Sequence, residues 1–109
     1  MLDIYDVIVE PSRRRIMDRL LRSDASVTEL VEALGMSQPL VSKHLRTLRD
    51  SGLVRVKGVA QRRIYSLNAL PLAEVDEWLT AYRAQWNRHV DALDKYLEQK
   101  KKSKEDEAT

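Results

Sequence analysis

Two short amphipathic segments, each with its own start and stop signals, most constrain the fold of this chain. The first begins at Ser26, in a Ser-Val-Thr-Glu run that forms a capping box, and ends at Gly35. The second begins at the N-cap Ser37, has Pro39 in its first turn, and ends at Gly52. Two helices joined by a few residues that include glycine predict a helix-turn-helix.

The second of these helices combines an apolar stripe with a polar face that lacks carboxylates. The stripe recurs at i, i+4 and i+7, through Val41, Leu45 and Leu48. At about 100° per residue, the neighbouring face collects Gln38, Ser42, Arg46 and Arg49, with Lys43 further round. Arginine pairs bidentately with guanine and glutamine with adenine, so this face predicts a recognition helix in a DNA groove. An ordinary solvated helix face is the alternative.

The net charge of +2 is distributed unevenly along the chain. Residues 1–36 contain five Lys or Arg against seven Asp or Glu, and residues 64–109 contain seven against nine. Residues 37–63 contain seven basic residues and one acidic residue, Asp50, which leaves an excess of +6. A local excess of that size is the electrostatic footprint expected of a nucleic-acid surface.

A β-hairpin is predicted directly after the recognition helix. The run LVRVK at 53–57 alternates apolar and basic residues, 58–62 is a turn, and RIYSL at 63–67 returns as a second strand. Its basic tip predicts a wing that contacts the DNA backbone or minor groove; a plain solvated hairpin is the alternative. The predicted DNA contacts of helix and wing together are Ser37, Gln38, Pro39, Ser42, Lys43, Arg46, Arg49, Lys57, Gln61, Arg62 and Arg63.

Two further helices are predicted before the helix-turn-helix. Leu2–Val9 reads as a short apolar helix that packs against something outside its own core. Pro11 opens the next helix, whose predicted buried stripe is Ile16, Leu20 and Leu21. Arginines 13–15 cluster at its start, where the helix dipole disfavours positive charge, so either a phosphate or internal pairing is expected to compensate them.

The last predicted element is one long helix from Pro71 to about Lys100, without internal Gly or Pro. Its apolar stripe has a 3.5-to-3.6 period and is too long for the preceding helices to cover, so a second copy of the same helix is the simplest partner. A ligand pocket lined by its aromatic residues is the less favoured alternative. Residues 101–109 are polar or small and are predicted to be disordered. The predicted dimer interface comprises Leu2, Ile4, Tyr5, Val75, Trp78, Leu79, Tyr82, Trp86, Val90 and Leu93.

Three separated motifs in the right order resemble the ArsR-type winged-helix repressors of bacteria and archaea. They are EPSRRRIMDRLL, TELVEALGMSQPLVSKHLRTLRDSGLV and RRIYSL, and the match covers residues 4 to 67. The stretch YRAQWNRHVDALDKYL further resembles a cysteine-free branch, often encoded beside small lipid- or ligand-binding-fold proteins. The resemblance implies a dimeric repressor that binds an inverted repeat and usually controls its own promoter. It also implies that the first and last helices form the dimer.

Many members of that family sense metals, but their metal sites are not reproduced in this sequence. The Cys-Val-Cys of the thiolate site aligns with Ser26-Val27-Thr28. The zinc pattern of the last helix, Asp-x-His-x10-His-x2-Glu, aligns with Asp76, Trp78, His89 and Ala92, which retains two ligands of four. His44 resembles a family position and is expected to be a core or hydrogen-bonded histidine. No metal site is therefore predicted.

The composition and motifs favour a binding protein over an enzyme. The chain of 109 residues predicts a single domain over residues 1–100, mostly α with a small β-hairpin, and contains no cysteine for a disulfide or thiolate site. We find no catalytic constellation, cofactor motif, signal peptide or membrane span, and expect a cytoplasmic, non-enzymatic protein. The expected function is sequence-specific binding of double-stranded DNA by a homodimer; a winged-helix module that binds RNA or protein is the alternative. The sequence leaves a small-molecule effector open without identifying one.

Overall fold

The computed structural model describes residues 2–107, with residues 103–107 described by their backbone alone. It divides into two compact units, Met1–Val75 and Asp76–Thr109. The elements in chain order are α1 (Ile4–Ile8), α2 (Pro11–Arg22), β1 (Ala25–Ser26), α3 (Val27–Leu34), α4 (Gln38–Asp50), β2 (Val54–Val59), β3 (Arg62–Leu67), a 3₁₀ turn (Leu70–Leu72) and α5 (Ala73–Glu107). The strands form one antiparallel sheet in the order β1-β3-β2. The predicted class, mostly helical with a small hairpin and a long C-terminal helix, is confirmed.

Helix α1 belongs to the core of its own unit, contrary to the sequence prediction. Asp3 caps it, with its carboxylate accepting from the backbone N–H of Asp6. Ile4 and Val7, 7% and 0% exposed, join the hydrophobic core. The prediction that this segment packs against something outside the core is therefore wrong. Ile4 and Val7 are three residues apart, so both lie on one face of the helix and that face packs into the core.

The three arginines of α2 are compensated internally, by carbonyl groups at the ends of other helices. Arg13 Nε donates to the Val7 carbonyl at 2.8 Å, and Arg14 Nη1 donates to the Ile8 carbonyl at 2.7 Å. Arg15 Nη2 donates to the Leu34 carbonyl at the end of α3 at 2.9 Å. Cations at helix C-termini are favoured by the dipole and by unpaired carbonyls. The internal-pairing alternative is therefore the one that the structure shows.

The remaining helices close the core around α4. Ile16, Met17 and Leu20 are the buried residues of α2, whereas Leu21 is 72% exposed. The assignment of Leu21 to the buried stripe is wrong. Leu21 lies about 100° round the helix from Leu20, and Met17 belongs to the buried face instead. Helix α3, which begins with the Ser26–Glu29 capping box, contributes Leu30 to the core.

Helix α4 begins and ends at the predicted signals. The Ser37 side chain accepts from the N–H of Leu40 at 3.4 Å. At the other end Gly52 has a φ of 81°, and the N–H groups of Gly52 and Leu53 donate to the carbonyls of Arg49 and Leu48. This pair of hydrogen bonds is a Schellman motif, which needs a left-handed residue that glycine adopts without a Cβ clash. Chain direction after α4 is thereby set for the hairpin.

The hairpin strands are longer than predicted and a third strand joins them. The pairing Val59↔Arg62 leaves a two-residue loop whose first residue, Ala60, has a φ of 56°. The predicted turn over 58–62 is thus mostly strand. β1 was not predicted, because a two-residue strand next to a helix cap has no periodicity to detect; it pairs with β3 through Ala25↔Tyr65 and Ser26↔Ile64.

Helix α5 is a single helix of 35 residues. It continues to Glu107, past the predicted end at Lys100, because Gln, Lys and Glu in this stretch are good helix formers. The predicted disorder of 101–109 is thus not what the structure has for 101–107, and positions 108 and 109 lie outside the described residues. No helix within residues 2–107 combines the length and hydropathy needed to cross a membrane.

Candidate nucleic-acid interface

The polar face of α4 is held outward by its buried apolar stripe. Val41, Leu45 and Leu48 are 0%, 1% and 0% exposed and anchor the helix in the core. All eleven predicted DNA contacts, on α4 and on the hairpin, are exposed. The helical period therefore separates a packing face from a face on which amide, hydroxyl and guanidinium groups are accessible.

A concave surface lies between α4 and β3. Its cavity of about 700 Å³ is lined by Val27, Ser42, Leu45, Arg46, Arg49, Asp50, Arg63 and Tyr65. Four of these residues are predicted DNA contacts, three of them arginines. The structure thus brings the helix face and one wing residue together across a chain separation that sequence periodicity cannot bridge. Three guanidinium groups around one concavity suit phosphate oxygens and base acceptors.

Other predicted contacts lie outside this cavity. Gln38 and Lys43 are exposed on α4, and Lys57 and Gln61 are exposed on the hairpin. Sequence reasoning did not assign Asp50 or Tyr65 to the site. For Tyr65 the signal was available, since it is two residues from Arg63 and alternate residues of a strand share a face. For Asp50 it was not, because its place at the cavity depends on how the hairpin packs against α4.

Arg62 and Arg63 point to opposite sides of the hairpin. Arg63 lines the cavity with Tyr65, on the side of α4. Arg62 Nη2 donates to Glu29 Oε1 of α3 at 2.8 Å and to Ser26 Oγ at 3.3 Å. Adjacent strand residues alternate between faces, which explains why two neighbouring arginines have different partners. The ion pair thus gives the Arg62 guanidinium an acceptor within the protein.

Glu29 is an acceptor oriented by its own helix. Its carboxylate accepts from the hydroxyl and the backbone N–H of Ser26, and its N–H donates back to Ser26 Oγ at 3.2 Å. These hydrogen bonds, with the charges of Arg62 and Arg19, lower the pKa of Glu29 from its ordinary value of 4.5. The carboxylate is therefore ionised and correctly placed for Arg62 at neutral pH.

His44 lies on the buried side of α4, as expected of a core histidine. It is 8% exposed. Burial, together with the positive charge of Arg13, lowers the pKa of His44 from its ordinary value of 6.5. Among the described residues no group of three or more His, Cys, Asp or Glu is placed to hold a metal ion.

The predicted dimer residues fall into three groups by exposure. Six large apolar or aromatic side chains are between 42% and 55% exposed: Leu2, Trp78, Tyr82, Trp86, Val90 and Leu93. Tyr5, Val75 and Leu79 are half-buried, and the Tyr5 hydroxyl donates to the Glu74 carbonyl at 3.4 Å. Ile4 is buried in the core of the first unit and is not available to a second chain. On α5 the rings of Trp78 and Tyr82 are in contact, with centroids 5.1 Å apart.

The chain is similar to known bacterial regulators. The family model described as "Bacterial regulatory protein, arsR family" matches residues 10–56, from the start of α2 into β2. A solved structure described as an ArsR family transcriptional regulator has a TM-score of 0.65 and 31% identity, and the match covers 77% of this chain and 87% of that one.

Curated proteins are similar to this chain as well. The transcriptional repressor SdpR of Bacillus subtilis is 29% identical over 79 residues, which is 72% of this chain and 88% of that protein. A "Transcriptional repressor SmtB homolog" of Synechocystis is 36% identical over 62% of this chain. That match spans about half of the Synechocystis protein, 51% of its length.

Proposed function

Because the chain belongs to the ArsR family of bacterial regulatory proteins, we propose that it represses transcription by binding an inverted-repeat DNA operator as a homodimer. Its named relatives are transcriptional regulators rather than enzymes, in line with the class expected from the sequence. Autoregulation of its own promoter, as the family resemblance implies, is part of the proposal.

The observation that carries the proposal is the arginine-lined cavity between α4 and β3. Ser42, Arg46 and Arg49 approach it from the helix, and Arg63 approaches it from the hairpin. A recognition helix reads base edges with the side chains that face the groove, whereas phosphate contacts fix its orientation. We assign base readout to Gln38, Ser42 and Arg46, and backbone contacts to Arg49, Arg63 and Lys57.

Dimerisation is proposed for α5. Its apolar stripe runs from Val75 to Leu97, about 33 Å at 1.5 Å per residue, and most of its large side chains are about half exposed. Exposed apolar patches of this extent mark interaction sites, and a two-fold partner buries the same patch on both chains. A dimer would set two α4 helices about 34–36 Å apart, one turn of duplex.

The salt dependence of DNA affinity tests the proposed function. Binding to a duplex recovered by selection from genomic DNA should weaken by about 0.9 log unit per log unit of salt for each phosphate neutralised. Arg49→Gln should reduce this slope by about one phosphate equivalent. Arg22→Gln is the matched control, since it removes the same charge from an exposed position on α2, and it should leave the slope unchanged.

Two results would reject the proposed function. A wild-type affinity that does not change with salt would exclude a phosphate-contacting surface. Tighter binding to single-stranded RNA than to duplex DNA would favour the alternative of a winged-helix module with another partner.

A further inference from the structure

We propose that Arg62 is a positioning residue, which fixes the orientation of the hairpin tip relative to α3 and α4 instead of contacting DNA. The inference rests on the proposed function, because it concerns how the hairpin presents its other basic residues to a duplex. It assigns different roles to Arg62 and Arg63, although they are adjacent, chemically identical and both exposed.

The two ends of the hairpin differ in their backbone pairing. β3 is attached to the helix-turn-helix by backbone pairing only at Ala25↔Tyr65 and Ser26↔Ile64. Beyond that point it pairs with β2 alone, out to Val59↔Arg62. A two-stranded ribbon is strongly twisted and marginally stable by itself, so its tip needs another contact to hold one direction.

Arg62 makes that contact from the strand pair next to the loop, where β3 begins. Its guanidinium donates to Glu29 Oε1 at 2.8 Å and to Ser26 Oγ at 3.3 Å, thus binding both partners of the α3 capping box. Ser26 is buried and Glu29 is half-buried, and both are held by their mutual hydrogen bonds. A planar guanidinium that binds two fixed acceptors restrains direction as well as distance.

The same contact leaves Arg63 on the other face of the strand, at the cavity shared with Arg46 and Arg49. If the tip rotated about the strand axis, Arg63 would leave that cavity. We infer that the Arg62–Glu29 ion pair contributes to DNA affinity through the placement of Arg63, and contributes little to the stability of the fold. Exposed ion pairs contribute little to stability, and these side chains are 63% and 44% exposed.

Neutralisation of Glu29 distinguishes a phosphate contact by Arg62 from a positioning role, because the two predict opposite changes in DNA affinity. If Arg62 contacted phosphate, Glu29→Gln would remove a competing negative charge and DNA affinity would increase. If Arg62 positions the tip, Glu29→Gln removes its anchor and affinity should fall by about threefold to fivefold. Glutamine at this position retains the capping box, so α3 should still form. Glu32→Gln, an exposed acidic residue on the same helix, is the control for loss of charge alone.

Substitution of the two arginines supplies the second measurement. Arg62→Gln should weaken binding by the same factor as Glu29→Gln, and the double variant should be no weaker than either one. In Arg62→Gln the tip must be reoriented on binding, but Arg63 still contacts phosphate in the complex, so the salt slope should keep its wild-type value. Arg63→Gln removes that contact and should reduce the slope by about 0.9. All variants should melt within a few degrees of the wild type, as expected for surface changes.

The inference is overturned by any of three outcomes: tighter binding by Glu29→Gln than by Glu32→Gln, a salt slope reduced by Arg62→Gln as much as by Arg63→Gln, or wild-type affinity in both Glu29→Gln and Arg62→Gln. Failure of the proposed function is distinguishable, because it would show in the wild-type protein as salt-independent or absent binding to duplex DNA.

Discussion

Helices α4 and α5 carry apolar stripes of the same period but bury them very differently. In α4, Leu45 and Leu48 are at most 1% exposed, within the core of the first unit. In α5, Trp86 and Leu93 are 42% and 55% exposed, although their spacing is equally regular. The period of a stripe therefore predicts a helix and a packing face, but it does not predict whether the packing partner is the same chain.

The polar faces of the two helices differ as well. α4 has a single acidic residue, Asp50 at its end, among polar and basic side chains. Along α5 acidic and basic residues both occur, in short runs of each sign, as is usual for a solvated helix. Charge distribution, rather than apolar period, is thus the feature that distinguishes the helix proposed for DNA from the helix proposed for dimerisation.

The largest effect is expected for truncation of the buried stripe. Leu45→Ala should lower the free energy of unfolding by about 2–5 kcal/mol, because the lost contacts leave a cavity in a close-packed core. Chemical denaturation monitored by circular dichroism measures the change. A loss below about 1 kcal/mol would mean that α4 is not packed as the structure has it.

Truncation of the exposed stripe should instead change assembly. Trp86→Ala should weaken the dimer by about 2 kcal/mol or more, since large aromatics dominate interface energetics. Light scattering after size exclusion should then find monomers at a concentration where the wild type is dimeric, and binding to a palindromic duplex should weaken. Gln85→Ala, next to it on α5, is the matched control and should remain dimeric. A wild-type chain that is monomeric at micromolar concentration contradicts the proposed role of α5.

On the polar face of α4, we expect a change in specificity. Arg46→Ala should cost about 1–3 kcal/mol of binding free energy at the preferred site and relax the preference at one base pair. Arg63→Ala should weaken binding to all sequences about equally, because a backbone contact carries no base information. Selection of bound sequences with each variant measures both effects. An unchanged site preference for Arg46→Ala would show that another face of α4 reads the bases.

The smallest effect concerns the pH dependence of stability. Because the pKa of His44 is lowered in the folded state, the unfolded chain binds more protons than the folded one just below pH 6.5. Stability should therefore fall as the pH decreases through 6.5, by at most about 1.4 kcal/mol per pH unit from this group. His44→Gln should flatten that part of the profile, measured by denaturation between pH 8 and pH 5. An identical slope in the variant would show that His44 is protonated equally in both states.

Local signals in the sequence determined most of the elements and the first assignment of function. Ser26, Ser37 and Gly52 mark helix ends in the sequence and in the structure, because capping depends on a few adjacent residues. The basic excess of residues 37–63 is likewise a property of the sequence alone, and it led to the DNA-binding hypothesis.

Only the tertiary structure decided which residues from different elements contact one another. The burial of Ile4, the pairing of β1 with β3 and the ion pair from Arg62 to Glu29 each join segments that are distant in the chain. Capping and periodicity extend over one or two turns of helix, whereas these contacts depend on how whole elements pack. For this reason the sequence identified Arg62 and Arg63 equally as basic residues of a hairpin tip. The fold distinguishes them, because one side of that hairpin faces α3 and the other faces the cavity beside α4.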